Sequence, residues 1–168
     1  MVKYLKYIII AAVLLVAVIV AINLFDKPSP EKQIRERLEN FLDNASKSSG
    51  DKLSTGLIKS KSLEGFFMPD CRFHIGVSSF SGKYSPEQIS SNSMRCRSMF
   101  KYIKFSAHDV EIGLTSPTAA TVDFTGSLNG VTKRGKSIND YRELTCELQL
   151  VEGKWLISSV SVREIAKK

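Results

Sequence analysis

Apolar and polar residues alternate with a period of two through much of the second half of the chain. Leu144, Cys146, Leu148 and Leu150 recur at every second position, with Thr145, Glu147 and Gln149 between them. That is the pattern of a strand with one buried face. Val151-Glu152-Gly153-Lys154 then offers a short turn in which Gly153 is free to take positive φ. A further run begins at Trp155. Trp155 and Ile157 share one face, while Val160 and Val162 have the opposite parity. A one-residue slip at Ser158-Ser159 reconciles them, as a β-bulge does. The pattern predicts a long bent hairpin over residues 141–165 whose apolar face needs cover. Upstream, Ile103, Phe105 and Ala107 alternate, and Val110 and Ile112 resume on the other parity, so a second bulge is expected near His108-Asp109. Ser116-Pro117-Thr118 turns the chain, and Ala120, Val122 and Phe124 alternate with Thr121, Asp123 and Thr125. Asn129-Gly130 and Arg134-Gly135 mark residues 128–138 as a loop or ragged hairpin.

The first half carries helical spacing instead. Ser29 is placed to cap a helix with Pro30 at its first position. Over residues 31–46, Ile34, Leu38, Phe41, Leu42 and Ala45 form one stripe opposite Lys32, Arg35, Glu36, Glu39 and Asp43. A weaker helical stretch covers residues 52–67, with Leu53, Leu57 and Ile58 expected inward together with Leu63 and Phe67; Met68-Pro69-Asp70 stops it. Residues 71–75 alternate like a strand, and 76–83 read as a serine-rich crossing. Ser85-Pro86-Glu87 opens a third helix, whose inner stripe would be Ile89, Cys96 and Met99 or Phe100. Helices followed by long bent strands make an α+β pattern.

Ahead of all this, residues 7–22 are uninterrupted hydrocarbon (YIIIAAVLLVAVIVAI). With its flanks the run reaches the length that crosses a bilayer, exceeds a signal-peptide core, and lacks a small-residue cleavage site. The expected organisation is a tail and transmembrane helix over residues 1–25, a Pro-containing linker over 26–30, and a domain over 31–168. Residues 4–24 would contact the bilayer. A short tail before a first apolar helix usually stays in the cytosol, which puts the domain outside the cytoplasm. The net charge of +7 is spread in twos and threes without interleaved stacking aromatics. This favours a solvated surface near anionic headgroups over a nucleic-acid site. The three cysteines, Cys71, Cys96 and Cys146, have no metal-binding spacing. Cys146 lies on the apolar parity of its strand. Cys71 and Cys96 are then the pair open to a disulfide in an oxidising compartment, both reduced being the alternative.

Four stretches carry a resemblance. SLEGFFMPDCRFHI (residues 62–75) and YSPEQI (84–89) resemble the helix-to-strand junction and third helix of the nuclear transport factor 2-like superfamily, and residues 118–124 with ELTCELQLVEGKWLISSVSV (143–162) resemble its last three strands. That superfamily includes the SnoaL-like cyclases and ketosteroid isomerases. The resemblance covers about residues 31–165. It implies a cone: a curved antiparallel sheet wrapped around about three helices, with a pocket between them, here behind one transmembrane helix. Phe73, Phe105, Phe124, Arg142, Leu144 and Trp155 are the expected wall of that pocket, Trp155 as a core anchor.

Enzymes of that fold hold carboxylates or a His–Asp pair inside the cone. By parity His74 points away from the pocket, and Asp123 faces solvent. His108 and Asp109 are adjacent and would face opposite ways unless a bulge turns both. Arg142 shares parity with Leu144 and would point inward as a cation for a polar ligand or a salt bridge. No phosphate-binding glycine loop or nucleophile triad is present, and neither a cofactor nor a metal is expected. The expected function is therefore a membrane-anchored, non-catalytic domain binding a partner protein, a second copy or a small ligand. The alternative is an envelope-facing isomerase, cyclase or dehydratase using His108, Asp109 or Arg142.

Overall fold

In the computed structural model, residues 15, 28–76 and 81–164 are described. The chain divides into two units, residues 1–32 and 33–168. The expected anchor lies, except for Leu15, outside the described residues. Among the described residues no helix is long and apolar enough to cross a membrane.

Helix α1 (Pro30–Ala45) starts as its sequence indicates, with Ser29 Oγ accepting from the Lys32 amide at 3.3 Å. Its apolar stripe buries Ile34 and packs Leu38, Phe41 and Ala45 on the core. Helix α2 (Leu53–Ser62) gives way to a 3-10 turn (Leu63–Phe66), and strand β1 (Phe67–Ile75) begins directly after it. The expected helix over 52–67 is thus shorter, and Met68-Pro69-Asp70 lies inside a strand.

The faces of α2 are also reversed from expectation. Leu53, Leu57 and Ile58 are 74, 53 and 68 % exposed, whereas Gly56 and Ser60 are buried. Small residues let two helices approach closely. Ser60 Oγ lies 3.7 Å from Met94 Sδ, and a Cβ on Gly56 would stand 3.8 Å from Arg97 Nε. The helix packs through its small side and leaves its large aliphatics outside. Leu63 and Phe67, also expected inward, are buried.

Strand β2 (Gly82–Tyr84) was not visible in the sequence pattern. Helix α3 (Pro86–Met99) opens with a capping box: Ser85 Oγ accepts from the Gln88 amide, and the Gln88 side chain accepts from the Ser85 amide. Of its expected stripe, Phe100 is buried and Met99 is exposed. Four long strands follow: β3 (Phe100–Ser116), β4 (Ala119–Thr132), β5 (Ser137–Val151) and β6 (Lys154–Glu164).

These build one six-stranded sheet in the order β2-β1-β6-β5-β4-β3. All neighbours are antiparallel except β1 and β6, which pair in parallel, so the sheet is mixed and not wholly antiparallel. Both expected bulges are present. The β3–β4 register shifts between His108 and Glu111, with Asp109 at φ 52, and the β5–β6 register slips so that Glu147 faces Ser159 while Leu148 faces Ile157. The stretch 128–138 is not a loop: β4 and β5 stay paired from Leu128–Asp140 to Val131–Ser137. Asn129-Gly130 is strand because β3 passes too close for a side chain, a Cβ on Gly130 falling 2.8 Å from the Tyr102 carbonyl oxygen. The turn is instead Lys133-Arg134-Gly135-Lys136, with Gly135 at φ 85. All three cysteines are free thiols, so the Cys71–Cys96 bond is not formed; Cys71 and Cys146 are both core residues.

Candidate functional site

The inner face of the sheet is laid out in rows across three strands. Ala107 (β3) faces Gly126 (β4), which faces Arg142 (β5); the next row is Phe105, Leu128 and Asp140. Further along β4 and β5, Phe124 faces Leu144. Opposite these rows, α1 presents Leu38, Phe41, Leu42 and Ala45, while α3 presents Ile89, Asn92, Ser93 and Cys96. Between them lies a cavity of about 430 Å³. Gly126, at the centre of the first row, carries no side chain. Leu144 leans into the space that Gly126 leaves, and an added Cβ there would stand 2.5 Å from Leu144 Cδ1. An aromatic series lines the approach from β1: Phe67 and Phe73 lie 6.0 Å apart, and Phe73 meets Tyr84 edge-on at 5.5 Å.

Two ion-paired arginines border this apolar space, and they differ in kind. Arg142 Nε donates to Asp140 Oδ2 at 2.9 Å, both side chains being partly exposed. Their i, i+2 spacing on β5 puts both on the cavity side. Arg97, by contrast, is 3 % exposed. Its Nη1 donates to the carbonyls of Asn44, Ala45 and Ser46 at 3.1, 3.2 and 2.6 Å, and its Nη2 pairs with Asp51 at 3.1 Å. These carbonyls end α1, where a cation is favoured by the helix dipole. Arg97 therefore borders the cavity but is committed to holding α1, α2 and α3 together. Burial pushes the Cys96 thiol pKa up, leaving it a poor nucleophile.

Of the residues expected in the pocket, Phe73, Phe105, Phe124, Arg142 and Leu144 line it. Trp155 does not. It sits, 2 % exposed, in the packed region around Ile34, Phe66, Val122 and Leu148. Trp155 lies nearer the β5–β6 turn, opposite Leu150, while the bulge at Ser158 brings Val160 and Val162 to the cavity beyond Ile157.

His108 does not border the cavity; its Nε2 lies 3.1 Å from the Ser127 hydroxyl, and Ser127 does. Asp109, at the bulge, opens instead on a polar groove of about 190 Å³ shared with Asp123, Glu143, Thr145 and Arg163. The bulge thus separates His108 from Asp109 and does not unite them. Among the described residues no cluster of His, Cys, Asp and Glu is arranged to hold a metal ion. Sequence reasoning missed Asp140, although its parity with Arg142 was available. It also missed Arg97, whose partners all lie some fifty positions away in the chain.

Chemically, the arrangement suits a compact molecule that is apolar over most of its surface and polar at one end. Such sites pair hydrocarbon walls with a few placed polar groups. No family model matches the chain, and no curated protein sequence does. Solved structures do share the fold. A scytalone dehydratase candidate from Novosphingobium aromaticivorans superposes with a TM-score of 0.67 at 13 % identity, covering 87 % of this chain and 88 % of that one. A hexachlorocyclohexane dehydrochlorinase from Novosphingobium barchaimii gives 0.58 at 15 % identity, over 79 % of this chain and 84 % of its own. A nuclear transport factor 2-like superfamily protein from Salmonella enterica serovar Typhimurium gives 0.62 at 17 % identity, over 82 % and 92 %. The domain accordingly has the fold of the nuclear transport factor 2-like proteins: three helices against a curved, mixed, six-stranded sheet.

Proposed function

We propose that the cone takes a compact, mostly apolar molecule and acts on its polar end by proton transfer, as a lyase or isomerase does. The observation that carries this reading is the Asp140–Arg142 pair, set on the wall of a cavity lined mostly by hydrocarbon. In an elimination, the Asp140 carboxylate takes the proton from carbon and the C–H electron pair becomes the new double bond. The leaving group departs with its bonding pair toward the Arg142 guanidinium, which stabilises the developing negative charge. That a dehydratase candidate and a dehydrochlorinase share this cone supports chemistry over the non-catalytic role expected from the sequence.

The test is turnover, followed by mass spectrometry, on a panel of cyclic β-hydroxy ketones and chlorinated cyclohexanes. Asp140→Asn is expected to lower any conversion at least 100-fold, with the fold intact by circular dichroism. A second reading, non-catalytic binding of the same kind of molecule, is favoured by one feature: Asp140 is already neutralised by Arg142 in a partly exposed position. It prevails if the panel displaces 8-anilinonaphthalene-1-sulfonate equally from wild type and Asp140→Asn without product. The proposal keeps residues 4–24 as a membrane anchor and the domain outside the cytoplasm, where a partner protein or second copy would meet it. A phosphatase reporter fused after Lys168, inactive in intact cells, would overturn that address.

A further inference from the structure

The end of the domain around the C-terminus of α3 carries charge and hydrocarbon that the cone does not use. Leu53, Leu57 and Ile58 face outward on α2, and Met99, the last residue of α3, is 60 % exposed. The Met99 carbonyl accepts from the Lys133 amide at 2.8 Å, which ties the exposed turn at residues 133–136 to this end. The first turn of α2 is tied to it as well, because Asp51 is held by Arg97. Lys47 donates to the Arg97 and Phe100 carbonyls at 3.1 and 2.6 Å. Burial, and then the nearby charges of Lys133 and Arg97, push the Lys47 ammonium below its ordinary pKa, as crowded like charges do.

Asp51 opposes this crowding, but it is already paired with Arg97. The ion pairs among the described residues are Lys59–Asp43, Lys61–Glu64, Arg97–Asp51 and Arg142–Asp140. None involves Lys52, Lys101, Lys133, Arg134 or Lys136. Scattered exposed aliphatics are ordinary, but three on one ten-residue helix, with Lys52 at its start and the 133–136 turn tied to the same end of the domain, make a patch of one chemistry. Aliphatic side chains beside basic ones are what a helix lying in a membrane interface presents. An acidic protein would satisfy the cations and leave the aliphatics unexplained, whereas a headgroup region satisfies both. The apolar run at residues 7–22 of the same chain points to the same medium.

We propose that this end of the domain docks on a bilayer surface rich in anionic lipid, the aliphatic side chains of α2 entering the headgroup region while the flanking lysines and the 133–136 turn meet lipid phosphates. The proposal is independent of the chemistry in the cone. Its preference for lipid over protein rests in part on reading residues 7–22 as a membrane segment, and the experiment separates the two.

Full-length protein carrying Leu57→Cys, labelled with an environment-sensitive dye, is mixed with vesicles of phosphatidylcholine alone or of phosphatidylcholine with phosphatidylglycerol. Wild type labelled in parallel corrects for Cys96. Docking predicts a blue shift of the dye with the anionic vesicles, weakened by added salt. Lys133→Gln and Lys136→Gln, on an exposed turn away from the core, are each expected to weaken the anionic-vesicle response on the order of five-fold. Equal shifts with both vesicle types would mean that residues 7–22 alone bring the chain to lipid, and would overturn the proposal. So would a shift that needs no vesicles and grows with protein concentration, which assigns the face to a second copy. A shift produced as readily by polyglutamate would assign it to an acidic protein.

Discussion

Around Trp155 the inner face of the sheet leaves a gap of about 20 Å³, while around Arg142 the same strands enclose about 430 Å³. Topology does not distinguish the two regions, since β4, β5 and β6 run through both. Side-chain volume does. Trp155 and Ile157 pair with Leu150 and Leu148 and close on Ile34 and Val122. Arg37 locks this region from outside, donating to the Trp155 and Gly65 carbonyls and lying 4.6 Å from the centre of the Phe66 ring. At the other end Gly126 brings no side chain to its row, where Leu144 lies over it, and the walls stand apart. The site is therefore an opening within an otherwise well-packed architecture. Mutations in the two regions should separate stability from binding.

The largest effect is expected at the packed end. Trp155→Ala removes a fully buried indole and should cost on the order of 3–5 kcal/mol, read as a fall in the urea midpoint. Dye binding in the cavity, measured below the transition, should persist. Loss of binding with an unchanged midpoint would instead place Trp155 in the site.

Arg97→Ala comes next. It leaves Asp51 without its partner and three helix-end carbonyls without a donor, at a cost of about 3 kcal/mol. Arg97→Met retains the packing of the stem but not the bonds, and should recover only a minor part of that loss. Full recovery by methionine would show that volume, not charge, matters there.

The smallest effect is one of pH. Burial pushes the Cys71 and Cys146 thiols up to about 12 from an ordinary 9.0. The folded state thus prefers both protonated. Their contribution is intact below pH 9 and declines as pH rises toward 12, so the effect is confined to alkaline solution. Denaturant midpoints should fall above pH 9 more steeply in wild type than in Cys71→Ala/Cys146→Ala. Equal slopes would locate the alkaline loss in other groups.

The sheet was legible in the sequence because strand alternation is a backbone property: whichever face is buried, every second residue is on it. Even the bulges at His108-Asp109 and Ser158 announced themselves as changes of parity. Helix α2 was misread for the same kind of reason in reverse. Its inward side is Gly56 and Ser60, which leave no hydrophobic signal, so Leu53, Leu57 and Ile58 looked like a core stripe. The five cavity residues followed from parity. Arg97 could not, because nothing local distinguishes a buried arginine serving distant carbonyls from its exposed neighbour Arg95.

The parallel pairing of β1 with β6 sets the order in which the molecule can be completed. Strands β3 to β6 are joined by tight turns and form a ladder of local contacts that closes quickly. The contact between β1 and β6 joins opposite ends of the domain and carries a larger loop-closure cost. Phe73 and Ile75 from β1, with Ile157, Val160 and Val162 from β6, are all walls of the cavity. During synthesis, β1 emerges early and must wait for the last strand before its edge is covered. The binding chamber is consequently the final thing to exist, and a chain stopped anywhere before β6 would have neither chamber nor continuous sheet.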